Sequence, residues 1–132
     1  MKRDMDLVRE ILLQIEKQYI STTITNLEIE GYDMATVAYH CKILHEEGLI
    51  SDYGVQYANG DIYYFGVGAL TWKGNDYLDK VRDNSIWEKT KDTIKKKGLP
   101  LVFDTIKTIS TAFITAAAEG VANSILKNGG SV

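Results

Sequence analysis

Apolar residues recur at helical spacing near the N-terminus and predict a first amphipathic helix over about Asp4–Gln18. The interval from Tyr19 to Tyr32 is rich in β-branched residues and poor in helix formers, so it predicts two short extended segments, Thr22–Ile24 and Leu27–Ile29. The sequence therefore predicts that this interval contains no helix, or a helix reduced to a turn. The apolar stripe of the first helix comprises Leu7, Val8, Ile11, Leu12 and Ile15.

A second amphipathic helix is predicted between Asp33 and Gly48. The carboxylate of Asp33 can accept hydrogen bonds from the first turn, and Gly48 can take the positive φ that ends a helix. Between them, Val37, Cys41 and Leu44 recur at helical spacing. An extended stretch follows this helix directly. This order, a helix followed directly by an extended stretch, is also that of the third helix and the wing in a winged helix-turn-helix.

A β-hairpin is predicted after the second helix, because the pattern changes from helical to alternating. Asn59-Gly60 marks its turn, since both central positions of a type I′ turn need positive φ. This hairpin would be the wing. Its aromatic side chains either hold the ribbon against the helices or form a surface for a ligand or partner. One face is predicted to carry Tyr53, Val55, Tyr57, Ile62 and Tyr64, and the opposite face Tyr63 and Phe65.

Three further helices are predicted after the hairpin. Thr71 caps the first of them, in which Gly74 allows close approach to another backbone. Ser85 is the predicted cap of the second, which ends at Gly98. Pro100 suits the first turn of the last helix, and the residues from Asn128 onward are expected to fray.

These elements together predict an α+β fold. Its winged-helix-like core would consist of a helix, a short extended segment, a helix, a β-hairpin wing and a helix. A C-terminal helical extension would follow. The predicted boundary places the core in residues 1–84 and the extension, with its disordered tail, in residues 85–132.

Charge is unevenly distributed along the chain. The net charge is −3, but residues 1–80 hold 7 basic and 13 acidic side chains, whereas residues 81–132 hold 8 and 5. A DNA-binding domain normally carries a basic footprint, because much of its affinity comes from neutralised phosphates. The second helix lacks this footprint, since Lys42 stands against Asp33, Glu46 and Glu47.

The sequence indicates a cytoplasmic protein. Its first residues are polar and lead into a charged helix, which argues against the apolar core of a signal peptide. The most apolar stretch, Thr111–Leu126, is shorter than the roughly 20 residues that a transmembrane helix requires. Cys41 is the only cysteine, so an intrachain disulfide and a cysteine-based metal cluster are both excluded.

The sequence offers little material for an active site. His40 and His45 lie five residues apart on one predicted helix, so their side chains point about 140° apart and cannot chelate one metal ion without outside ligands. No Gly-rich phosphate loop, Ser-x-x-Lys motif or His-Glu-x-x-His motif is present. We therefore expect no enzymatic activity, no cofactor and no metal.

A set of short motifs resembles a bacterial and phage family known as domain of unknown function 2513. The motifs are Leu27-Glu-Ile-Glu-Gly-Tyr32, Leu70-Thr-Trp-Lys-Gly74 and Ile86-Trp87, in this order, and the likeness covers about residues 1–110. The resemblance implies a protein of Gram-positive bacteria and their prophages with a winged-helix-like core. It supplies no catalytic residues.

One hypothesis for the function is a DNA-binding transcriptional regulator of a phage or mobile element. The order of helix and wing motivates it, and the acidic first half of the chain opposes it. The candidate contacts are Thr36, Tyr39, His40 and Lys42 in the major groove, Asn59 of the wing at a phosphate, and Lys89, Lys95 and Lys96 along the backbone.

The alternative is an acidic protein-protein interaction module that has the fold without the DNA chemistry. Small residues of the last helix, including Thr105, Ala112 and Ala116, would allow a homodimer through close helix packing. Only Lys107 and Lys127 could anchor this helix to a membrane surface, so no membrane binding is expected. The candidate partner-binding residues are Tyr57, Tyr63, Phe65 and Phe113.

Overall fold

A computed structural model describes residues 1–129 and has an α+β fold with five helices and one three-stranded antiparallel sheet in that range. The predicted winged-helix-like order of elements is present. The chain forms two compact units, of which the first covers Met1–Asp79 and the second begins at Lys80. The elements are α1 (Met5–Gln18), β1 (Ile24–Thr25), α2 (Met34–Glu46), β2 (Tyr53–Ala58), β3 (Asp61–Val67), α3 (Trp72–Val81), α4 (Asn84–Lys96) and α5 (Phe103–Gly129).

Asp4 caps helix α1 and joins it to a distant turn. Its carboxylate accepts hydrogen bonds from the backbone N–H groups of Asp6 and Leu7, at 3.0 and 3.1 Å, and from the hydroxyl of Tyr32, at 2.8 Å. The bond to Asp4 raises the pKa of Tyr32, because ionisation would place a phenolate against a carboxylate. The apolar stripe predicted for α1 is buried in the first unit.

The interval between α1 and α2 contains no helix, as the sequence predicts. Strand β1 has only two residues, but Asn26 prolongs its pairing with β3. The backbone N–H of Asn26 donates to the carbonyl of Phe65 at 2.8 Å, and its side-chain oxygen accepts from the N–H of Phe65 at 2.9 Å. The second predicted extended segment, Leu27–Ile29, is not a strand of the sheet.

Helix α2 has the predicted limits. The carboxylate of Asp33 accepts a hydrogen bond from the N–H of Thr36 at 2.8 Å, and Gly48, with a φ of 84°, follows the last turn. The predicted apolar positions of this helix are buried. They are Val37, Cys41 and Leu44.

The strands pair in the order β1-β3-β2, so β3 lies at the centre of the sheet. Asn59 and Gly60, with φ values of 55° and 84°, join β2 to β3, which confirms the predicted hairpin.

The predicted distribution of side chains over the two faces of the hairpin was wrong for Tyr64 and Phe65, whereas Tyr57 and Ile62 share a face as predicted. Val55 pairs with Phe65 and Gln56 with Tyr64, whereas Tyr57 pairs with Ile62. A bulge beside Gln56 adds one residue to β3, and one added residue moves the side chains that follow it to the opposite face. Phe65 therefore lies on the face of Val55 and is fully buried.

Helix α3 begins at the predicted cap and makes the predicted close approach. The hydroxyl of Thr71 accepts a hydrogen bond from the N–H of Gly74 at 3.1 Å. A Cβ atom added to Gly74 would lie 2.1 Å from the carbonyl oxygen of Leu49. Glycine is therefore required here for packing and not for a positive φ.

Two boundaries in the second unit differ from those predicted. Asp83, not Ser85, caps α4, because the carboxylate of Asp83 accepts a hydrogen bond from the N–H of Ile86 at 2.9 Å. Gly98, with a φ of 65°, follows the end of α4 as predicted. Helix α5 begins at Phe103 and not at Pro100, since the preceding residues still close the end of α4 through their backbone hydrogen bonds.

Helix α5 is longer than the sequence pattern indicates. It remains helical through Gly129, so the fraying expected from Asn128 is wrong for these two residues, and residues 130–132 lie outside the described part of the chain. Its first half packs against α4, whereas every residue from Thr115 to Asn128 is exposed. By length and composition alone, Phe103–Asn128 could cross a membrane, in contrast to the shorter stretch considered above.

The thiol of Cys41 is buried, so its reactivity can be used as a probe of unfolding. Burial raises the pKa of Cys41 from 9.0 to about 12. We expect a thiol reagent such as Ellman's reagent to leave Cys41 unmodified at pH 8 until guanidinium unfolds the chain. Because the unfolded chain releases this proton first, the free energy of unfolding should fall as pH rises from about 9 towards 12. Rapid modification of the native chain would contradict the structure.

Candidate functional site

The outward side of α2 is the surface that a winged-helix DNA reader would present to the major groove. Of the four predicted groove residues on this helix, Lys42 is exposed and Thr36 and Tyr39 are half-buried. The ammonium of Lys42 lies 3.9 Å from the carboxylate of Glu46, and both side chains are exposed. Such a pair is weak, but it lowers the positive charge that Lys42 offers to a phosphate.

His40 is not on this surface, which corrects its assignment as a base contact. Its side chain is fully buried. Nε2 accepts a hydrogen bond from the backbone N–H of Asp4 at 2.9 Å, and Nδ1 lies 2.8 Å from the carbonyl oxygen of Thr36. Because Nε2 accepts a hydrogen bond, the ring donates to the carbonyl through Nδ1. His40 therefore joins α1 to α2. The sequence feature that indicates the burial of His40 is its position on the apolar stripe, three residues after Val37 and four before Leu44.

The exposed charges of α2 and its ends are mainly negative. Asp33, Glu46 and Glu47 are exposed. The hydrogen bond from Thr36 lowers the pKa of Asp33, because it favours the carboxylate. Lys73 is bound to Glu47, with 3.0 Å between its nitrogen and the carboxylate oxygen. This surface is therefore poor in the cations that phosphate contacts require.

The wing presents two tyrosines to solvent. Tyr57 and Tyr63 are more than half exposed, and the hydroxyl of Tyr63 donates a hydrogen bond to the side-chain oxygen of Gln56. Asn59 is exposed at the turn, next to the carboxylate-bearing Asp61. Phe65 is buried in the core, so it is removed from the candidate partner surface. The wing thus offers aromatic and acidic groups.

Trp72 is a candidate that the sequence analysis missed. It is the first residue of α3 and is 90% exposed, whereas the other tryptophan, Trp87, is 1% exposed. Its neighbour Lys73 donates to the carbonyl and to the carboxylate of Glu47. The motif Leu70-Thr-Trp-Lys-Gly74 was recognised, but its periodicity alone does not show which member faces water.

An open groove of about 590 Å³ lies beside the segment between β1 and α2. Its walls include Tyr32, Met34 and Val37, and the exposed residues Glu28 and Glu30 contribute to its rim. The groove combines apolar and acidic groups. The sequence predicted an extended segment at Leu27–Ile29 and no groove beside it.

The remaining candidates belong to the second unit. Lys89, Lys95 and Lys96 are exposed on α4, and Lys96 lies 2.9 Å from the carboxylate of Asp92. Phe113 is half-buried on α5. The homodimer through Thr105, Ala112 and Ala116 stays a prediction; Ala112 and Ala116 are exposed and Thr105 is half-buried.

Comparison with known proteins places the chain in a family. Residues 2–100 match a family described as "Hypothetical protein (DUF2513)". The chain belongs to this family. A Haemophilus influenzae protein described as "Uncharacterized protein" is 37% identical to this DUF2513 member over 116 residues, or 87% of this chain and 97% of that protein. No solved structure matches. The DUF2513 match ends before α5, and the association with phages stays a prediction.

The expectation of a Gram-positive host stays a prediction. Among residues 1–129 of this member, no group of three or more His, Cys, Asp or Glu side chains is placed to hold a metal ion.

Proposed function

We propose that this chain is a protein-interaction module whose first unit binds a basic segment of a partner protein. The observation that carries the proposal is the exposure of Trp72 at the start of α3. An indole of which 90% faces water leaves a large apolar side chain uncovered. Tryptophan is also enriched among the residues that contribute most to protein interfaces.

The charges of the first unit favour a basic partner. Residues 1–79 contain 6 basic and 13 acidic side chains. Glu47 is exposed and pairs with Lys73, which follows Trp72, and the exposed Asp76 lies about one helical turn further along α3. An arginine of the partner could stack on the indole while a carboxylate binds its guanidinium. Electrostatic attraction would also accelerate the encounter at low salt.

The same surface gives little support to DNA binding. A reader helix needs cations for phosphates and donors for bases, and arginine is the commonest residue that contacts guanine. Helix α2 has no arginine, His40 is buried, and the exposed Lys42 lies beside Glu46. The helix-into-wing order is therefore better explained as a retained scaffold.

We expect the full chain to bind a fluorescein-labelled arginine-glycine peptide and not a glutamate-glycine peptide of equal length. Binding should change the emission of Trp72, because the arginine would contact its exposed indole. The buried Trp87 contributes a constant signal. Trp72→Ala should weaken binding by about fivefold to tenfold, the range expected for a cation–π contact. Anisotropy of the fluorescein label at low and high salt measures the affinities, and tryptophan emission measures the change at Trp72.

Ile20→Ala is the matched control, since Ile20 is also 90% exposed but lies outside α3. It should bind the arginine peptide as the unmodified chain does. Equal binding of the two peptides, or no loss of affinity in Trp72→Ala, would contradict the proposed function.

A further inference from the structure

The segment that follows β1 has the alternation of a strand without a neighbouring strand. Leu27 and Ile29 are buried, whereas Glu28 and Glu30 are exposed. This inward and outward alternation is the side-chain period of an extended chain. The segment does not pair with β3, which is occupied by β1 and β2.

Most backbone groups of Leu27–Glu30 form no hydrogen bond within residues 1–129. None of the four N–H groups donates there, and of the four carbonyls only that of Ile29 accepts, from the N–H of Tyr32 at 3.2 Å. Leu27 is nevertheless only 3% exposed. Backbone groups of this kind are normally satisfied, so water or a bound chain must supply their partners.

The groove beside this segment has room for such a chain. Its volume is about 590 Å³, and Met34 and Val37 give it an apolar wall. The carboxylates of Glu28 and Glu30 belong to alternate residues, which in an extended chain lie about 7 Å apart. Alternate side chains of an added strand have the same spacing, so two basic residues could face the two carboxylates together.

We propose that the groove beside Leu27–Glu30 binds an extended basic segment of the partner protein by strand addition. Backbone hydrogen bonds to Leu27–Glu30 would hold the segment, and alternate arginine or lysine residues would pair with Glu28 and Glu30. Apolar residues between them would cover the exposed side chain of Met34. The proposal rests on the proposed function and specifies where and in which conformation the partner binds.

A second copy of this chain fits the groove less well. Pairing two copies of the segment would bring the carboxylates of Glu28 and Glu30 against each other, and like charges on adjacent strands are destabilising. A basic partner has the complementary charge.

The test uses ¹⁵N-labelled full chain and a short peptide of alternating arginine and valine. We expect the amide signals of Leu27, Glu28, Ile29 and Glu30 to shift saturably and to become protected from hydrogen exchange. A peptide that is N-methylated at alternate residues keeps its charge and loses half of its backbone donors. It should bind more than tenfold more weakly, because several hydrogen bonds are removed.

The double variant Glu28→Gln with Glu30→Gln should weaken binding about fivefold, as expected for two exposed ion pairs. Glu46→Gln, an exposed carboxylate of α2, is the control and should not change the affinity.

Four results would overturn the inference. If the N-methylated peptide binds as tightly as the unmethylated one, charge attraction alone explains the binding and no strand is added. Peptide binding that changes Trp72 but not the amides of residues 27–30 would place the partner elsewhere and leave the proposed function intact. Binding of neither this peptide nor the arginine-glycine peptide would reject both. Concentration-dependent shifts of residues 27–30 without any peptide, with dimer mass in sedimentation, would make a second copy the occupant.

Discussion

Gly74→Ala is expected to lower the free energy of unfolding by about 3 kcal/mol, the upper part of the range for overpacking a core. The added Cβ would lie 2.1 Å from the carbonyl oxygen of Leu49, a backbone atom that no side-chain rotation can move. That carbonyl also accepts a hydrogen bond from the N–H of Thr71 at 3.0 Å. Helix α3 must therefore shift away from Leu49, which weakens this bond and the packing around it. Guanidinium unfolding followed by circular dichroism measures the loss.

Gly54→Ala is the control for this experiment. Gly54 lies in β2, and a Cβ built there meets no atom within 4 Å. Its effect should stay within about 0.5 kcal/mol, as for most surface substitutions. If Gly74→Ala unfolds at the same guanidinium concentration as the unmodified chain, α3 does not approach Leu49 as described.

His40→Leu is expected to cost about 2 kcal/mol of unfolding free energy, since it leaves a partly buried donor without an acceptor. The N–H of Asp4 would lose its 2.9 Å hydrogen bond to Nε2, and the carbonyl of Thr36 would lose its contact with Nδ1. Leucine fills much of the volume of the imidazole, so most of the cost should come from the lost polar contacts and not from a cavity. Chemical denaturation at a fixed pH measures this difference.

His45→Leu provides a comparison on the same helix. His45 is exposed near the end of α2, so its replacement should change stability by no more than about 0.5 kcal/mol. Equal stability of the His40 and His45 variants would show that the imidazole of His40 does not join α1 to α2.

Local signals in the sequence determined much of the fold. The cap Asp33 and the turn Asn59-Gly60 act within a few residues of their own positions, so their effects could be predicted. Gly74 was also assigned a close approach, although the sequence could not identify Leu49 as the group approached. These features required no knowledge of distant contacts.

Features that depend on distant contacts could not be predicted in the same way. Strand β1 has two residues, and its position is set by the hydrogen bonds of Asn26 to Phe65, 39 residues along the chain. The bulge beside Gln56 has no clear sequence mark, yet it decides that Phe65 faces the core. The sequence also does not decide between Asp83 and Ser85 as the cap of α4, since both residue types are good helix caps and they lie two residues apart.

The candidate site was the least predictable part. Phe65 and His40 were assigned to surfaces and are buried, whereas Trp72 belongs to a recognised motif and is exposed. Periodicity predicts one buried stripe. Whether a polar residue within the stripe or an aromatic residue beside it is buried depends on the tertiary packing. The backbone of Leu27–Glu30, which is mostly unpaired within residues 1–129, has no sequence signature, since pairing depends on which strands reach the sheet.

The central claim is that the exposed side of α2 does not enter the major groove of DNA. The most direct measurement is titration of ¹⁵N-labelled full chain with a short random-sequence duplex at low salt, where phosphate attraction is strongest. We predict that the amide signals of Ala35, Tyr39 and Lys42 keep their positions at tens of micromolar DNA. Saturable shifts of these three signals that disappear at high salt would contradict the account.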